Sequence, residues 1–116
     1  MKVTSNSQGN ILILTPQGRI DHASADAFSA ALSTYLANCK SGEKPLILDF
    51  SQIEYVSSIG LRALMLAARQ VKAQGGKITI AASTPMVREV FEVCRFNLVF
   101  PLFDSVDAAL TSLAVE

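Results

Sequence analysis

The stretch Leu46-Ile47-Leu48-Asp49-Phe50-Ser51-Gln52-Ile53-Glu54-Tyr55-Val56-Ser57-Ser58-Ile59-Gly60-Leu61-Arg62 decides the fold. Its first five residues form a nearly continuous apolar run behind Pro45, the pattern of a strand covered on both faces. A short loop is expected next. A helix then follows from Ile59 to Gln74, in which Leu61, Leu64, Met65, Ala68 and Val71 recur every three or four positions until Gly75-Gly76 ends it. A doubly covered strand feeding an amphipathic helix predicts a layered α/β domain.

The same alternation continues on either side. Ile11-Leu12-Ile13-Leu14 reads as a strand, with a short partner strand expected near Val3. Phe28, Leu32, Tyr35, Leu36 and Cys39 give a helical stripe between Ala23 and Cys39. Lys77–Ala81 is a further strand, and Leu98-Val99-Phe100 a short one stopped by Pro101. Thr84-Pro85 reads as an N-cap with proline at the first helical position, followed by a buried stripe of Met86, Val87, Val90, Phe91 and Cys94. Asp104 is expected to cap a last helix bearing Val106, Ala109, Leu110 and Leu113. The expected architecture is a single α/β domain over 1–116, with a mixed four- to five-stranded sheet and about four helices.

Composition narrows the function. The chain has 116 residues, half of them hydrophobic, enough for one core and too apolar for disorder. Ten basic residues balance ten acidic ones, which argues against a binder of nucleic acid or of anionic membranes. No apolar run approaches the ~18 residues of a membrane span, and no signal-like segment opens the chain, so no membrane insertion and a cytoplasmic location are expected. Cys39 and Cys94 stand apart from each other and from the lone His22 among apolar neighbours, so both are expected as buried hydrophobes, with no metal site. His22 lacks an orienting partner beyond the adjacent Asp21, and the glycines form no phosphate cradle, so neither catalysis nor a cofactor is expected. Arg88, Glu89, Glu92 and Arg95 read as a solvated helix face with pairs three and four apart.

The serine pair is different. Ser57 and Ser58 sit where the helix must start, and one of them should cap it by accepting a backbone N–H. Gly60 lies inside the first turn, where glycine costs ~1 kcal/mol relative to alanine. Its bare Cα would let another chain approach the helix end closely. With these residues, with Gly18-Arg19-Ile20-Asp21 and with Leu46–Ser51, the chain resembles the anti-sigma-factor antagonist, or STAS-domain, family over nearly its whole length. Members usually carry Asp-Ser-Ser/Thr-Gly-Leu-Gly at this turn, and a partner protein kinase phosphorylates the first serine. Aligned residue by residue, the modified serine falls on Ser58, the family aspartate on Ser57, and the Gly-Leu pair on Gly60-Leu61. Arg62 replaces the second glycine. Loss of the aspartate leaves Ser57 as the runner-up for modification.

The resemblance implies an anti-sigma factor antagonist that, unphosphorylated, binds an anti-sigma factor with serine kinase activity and frees the sigma factor. Phosphorylation of Ser58 would release it, and a separate metal-dependent, PP2C-type phosphatase would reverse the step. Asp21 would help shape the docking surface, together with Ser57, Gly60, Leu61 and Arg62. Helical spacing adds Leu66 and Arg69 on the outward side, an apolar residue between arginines. The alternative within the family is a scaffold or a regulatory subunit of a lipid-transport complex or stress-sensing assembly. A nucleotide-binding or hydrolytic module would rest on Asp21 and Ser58 alone.

Overall fold

The computed structural model describes residues 2–114. Strands β1 (Lys2–Gln8) and β2 (Ile11–Ile20) form an antiparallel hairpin. They are followed by α1 (Ala25–Asn38), β3 (Leu46–Asp49), β4 (Ile53–Val56), α2 (Ser58–Ala73), β5 (Ile78–Ala81) and α3 (Pro85–Val93). A single 3-10 turn (Phe96–Leu98), β6 (Leu102–Phe103) and α4 (Val106–Ala114) complete the order. The mixed sheet runs β1-β2-β3-β5-β6, with every pairing beyond the hairpin parallel and β4 set off the path against β2.

Alternation along the strands sorts the core into two layers. Leu12, Leu14, Leu46, Leu48, Ile78 and Ile80 point toward α1, α2 and α3, and form the larger core with Phe28, Leu32, Leu64 and Phe91. Ile11, Ile13, Ile47 and Ala81 point the other way and are covered by α4 through Val106, Ala109, Leu110 and Leu113. Phe50, Phe91, Phe96 and Phe100 make a chain of ring contacts with centroids 5.4–6.1 Å apart. Such pairs are worth about 0.5–1.5 kcal/mol each beyond area burial.

Strand β2 is long because it serves two neighbours. Leu12–Leu14 pairs with β3, whereas Gly18–Ile20 pairs with β4 after a register shift between Gly18 and Arg19. Gly18 takes φ 105°, open to glycine and strained for other residues, so the strand can bend and carry its end over to β4. That bend brings the end of β2 against the start of α2.

Several expectations need correction. Residues 51–56 are not a loop throughout, since Ile53–Val56 is the strand β4. Leu98–Phe100 is not a strand: Arg95 adopts φ 57°, the chain enters a 3-10 turn, and the strand forms after Pro101 instead. Phe96 and Phe100 are both buried, and the Phe100 amide donates to the Phe96 carbonyl at 2.9 Å, so the spacing there is helical. Met86 is 62% exposed and Cys94 is also exposed, because α3 is rolled to bury Val87 and Phe91. Thr84 is the N-cap residue of α3 by position, but its side chain makes no capping bond. Ser105, not Asp104, caps α4 by accepting from the Ala108 amide at 3.0 Å, and Asp104 instead accepts from Arg88 at 3.0 Å. Arg88 also pairs with Glu92 at 3.2 Å, while Arg95 lies beyond the helix. Cys39 is buried as expected, its Sγ donates to the Lys77 carbonyl, and burial pushes its thiol pKa up.

Candidate functional site

The parallel strands β2 and β4 end side by side, and the chain leaves each of them in a polar turn. After β2 come Asp21 and His22; after β4 come Ser57 and Ser58. The Ser57 amide donates to the Ile20 carbonyl at 2.8 Å and ties the two turns together. Asp21 and the serine pair, far apart in sequence, therefore share one edge of the molecule.

The two serines divide the work. Ser57 has extended backbone angles, and its Oγ accepts from the Gly60 amide at 3.2 Å, so it is the N-cap of α2. Its carbonyl takes the first helical bond, from the Leu61 amide at 2.8 Å. Ser58 is the first helical residue, exposed, and its hydroxyl has no hydrogen-bond partner among the described residues. It is a group on which another enzyme can act. The positive end of the helix dipole favours negative charge at this position by about 0.3–1 kcal/mol. Ser57→Ala is expected to cost about 1 kcal/mol through loss of the cap, read as a lowered urea midpoint, with the Ser58 hydroxyl left exposed.

Gly60 is buried, and the close approach it allows is intramolecular. A Cβ there would lie 2.7 Å from the Ile20 carbonyl oxygen and 2.8–2.9 Å from side-chain carbons of Ile20 and Val56. This corrects the expectation that its bare Cα receives another chain. Leu61 is half-buried and packs on the main core. Arg62, one turn beyond Ser58, is exposed and without an ion pair among the described residues. Leu66 is 52% exposed and Arg69 exposed, as the helical spacing predicts.

Asp21 is built into its turn. Its Oδ1 accepts from the Ala23 amide at 3.0 Å, and its own amide donates to Ser24 Oγ at 3.0 Å. Ser24 in turn donates to the Arg19 carbonyl at 2.6 Å. Desolvation opposes ionisation of the Asp21 carboxyl, but the Ala23 amide and the Ser24 hydroxyl outweigh it, and its pKa lies below the ordinary value. Arg19 Nε is 3.7 Å from Asp21 Oδ2, and the guanidinium sits 4.7 Å from the Tyr55 ring centroid. Arg19, Ser24 and Tyr55 are thus site residues that sequence spacing alone did not single out. Ile59 and Met86, 49% and 62% exposed, are further apolar residues near the starts of α2 and α3. Ile59 was legible as lying off the Leu61–Leu64 stripe. Among the described residues no three His, Cys, Asp or Glu side chains come together as a metal site, and no helix is long and apolar enough to cross a membrane.

Residues 2–109 match the sequence model of the STAS domain. BtrV of Bordetella bronchiseptica, assigned to the anti-sigma factor antagonists, is 36% identical over 109 residues, covering 94% of this chain and 91% of its own. The fold is similar to that of an anti-sigma factor antagonist from Mycobacterium paratuberculosis, with a TM-score of 0.84, 22% identity, and coverage of 96% and 92% of the two chains. It is also similar to the Bacillus cell fate determinant SpoIIAA in its phosphorylated form, with a TM-score of 0.68, 16% identity, and coverage of 97% and 99%.

Proposed function

This chain belongs to the STAS-domain family, and on that premise we propose that it is an anti-sigma factor antagonist whose grip on its partner is switched at Ser58. The observation that carries this reading is the division of labour in the serine turn: Ser57 spends its hydroxyl on the helix cap, and Ser58 offers an exposed one. The unphosphorylated domain, one STAS unit over 1–116, binds an anti-sigma factor that is also its serine kinase, and so frees the sigma factor. The kinase transfers the terminal phosphoryl group of ATP to Ser58 Oγ, the hydroxyl proton is lost and ADP leaves. A PP2C-type phosphatase hydrolyses the ester and restores the hydroxyl. Catalysis resides in those two enzymes, and the domain works as a binding protein in the cytoplasm.

The docking surface extends from Asp21 and the serine turn along Arg62, Leu66 and Arg69. Ser57, Gly60 and Leu61 support it from beneath by holding the helix start in place. A phosphate carries about two negative charges, and burying it against a surface shaped for a hydroxyl costs several kcal/mol unless it is paired. The dipole gain is smaller, so the partner is released.

The test is phosphorylation by the cognate kinase with ATP, followed by peptide mapping. One phosphate on Ser58 is expected in the wild type and in Ser57→Ala, and none in Ser58→Ala. Phosphate on Ser57 alone, or none with a kinase active on another substrate, would reject the switch.

A further inference from the structure

Arg62 stands four residues beyond Ser58 on the continuous helix α2. At that spacing two side chains are neighbours on the helix surface, with Cβ atoms about 5–6 Å apart. Helical side chains lean back toward the N-terminus, which carries the Arg62 guanidinium toward Ser58. An anionic group four residues before a cation is also the favourable order of such a pair. Glycine, the usual residue of the family motif at this place, offers no charge.

The fold leaves this guanidinium unengaged. Arg62 is exposed and has no ion pair among the described residues, and the first turn of α2 holds no acidic residue for it to meet. Two other arginines are already held. Arg19 lies over the Tyr55 ring with its Nε 3.7 Å from Asp21 Oδ2, and Arg88 pairs with Asp104 and Glu92.

We propose that a phosphate on Ser58 is paired within the chain by Arg62, which turns from the docking surface onto the modified side chain. The inference rests on the reading that Ser58 carries the phosphate, and it names what receives the charge. A phosphate brings about two negative charges. One guanidinium in a charge-assisted bond answers roughly half of that, and the remainder still opposes burial against a partner. Modification thus adds an anion to the docking surface and withdraws a cation from it in one event.

The test uses the full chain with phosphoserine installed at position 58 by genetic-code expansion, so it depends on no kinase. Phosphorus NMR follows the second ionisation of the phosphate, ordinarily at about pH 6, in the wild type and in Arg62→Gln. Glutamine has nearly the helix propensity of arginine, so this exposed substitution leaves α2 folded. A nearby cation favours the dianion, and the midpoint is expected about 0.5 pH unit lower in the wild type than in Arg62→Gln. Arg19, Asp21, His22, Glu54 and, on the adjoining helices, Asp26 and Glu89 are the same in both proteins, so the difference belongs to Arg62. The Arg62 Nε–H resonance should move as the phosphate titrates, while that of the exposed Arg69, about two turns further along α2, stays still. Equal midpoints, or an Arg62 resonance as still as that of Arg69, would overturn the pair and leave the switch standing. A cognate kinase that passes over Ser58 would reject the switch, whatever the two midpoints are.

Discussion

Ser58→Asp is expected to bind the anti-sigma partner roughly a hundredfold more weakly than the wild type, a loss of about 3 kcal/mol, while Ser58→Ala binds normally. The residue is exposed and its hydroxyl makes no hydrogen bond among the described residues, so Ser58→Ala removes no side-chain bond that the fold uses. An aspartate introduces a charge where the partner expects a neutral group, and its desolvation costs several kcal/mol if unpaired. Within the free domain the same charge sits at a helix N-terminus and gains about 0.3–1 kcal/mol. Binding and stability should therefore move in opposite directions. Calorimetric titration and thermal unfolding of both variants test this together. Equal affinities for Ser58→Asp and Ser58→Ala would remove the switch from this residue, and a destabilised Ser58→Asp would mean that the fold, not the interface, responds.

The second large effect is at Gly60. Alanine in a helix is normally worth about 1 kcal/mol over glycine, so a free helix start would be stabilised by Gly60→Ala. Here the added methyl meets the Ile20 carbonyl oxygen at 2.7 Å, an atom held by the Ser57 amide and unable to rotate away. Overpacking of this kind costs about 1–3 kcal/mol, occasionally more. Gly60→Ala is expected to lose about 1–2 kcal/mol net and Gly60→Val about 3 kcal/mol, both read as lower urea midpoints with an unchanged slope. A Gly60→Ala variant as stable as the wild type would show that α2 can slide away from β2, and that the serine turn is not held by this contact.

Long elements with a strong period were legible from residues alone. The apolar runs of β3 and β5, the stripes of α1 and α2 and the Ser57-Ser58 helix start were read directly, and the outward Arg62, Leu66 and Arg69 followed from them. Elements that owe their shape to neighbours were not. β1 is almost wholly exposed and is a strand because β2 offers it a ladder, so it carries no apolar signal beyond Val3. β4 buries Ile53 and Val56 at its two ends, with Glu54 exposed and Tyr55 half-buried between them, so it shows no clean alternation and its four residues between two polar turns read as easily as a loop. The roll of α3 depends on where the phenylalanine chain lies, which moves Met86 and Cys94 from the buried stripe to the surface. At the site, the serine motif was visible locally, whereas the contacts of Arg19 with Tyr55 and of Gly60 with Ile20 bring together residues more than thirty positions apart.

The bond from Ser57 to Ile20 has a consequence for how such a protein keeps time. Under the proposed switch, a turn fastened to the end of β2 lets Ser58 take and lose its phosphate without remodelling the fold. On that proposal, the record of a past signal is held in a single ester bond at Ser58. Erasing it takes as long as the hydrolysis itself, and the domain is ready for the next cycle the moment the phosphate is gone.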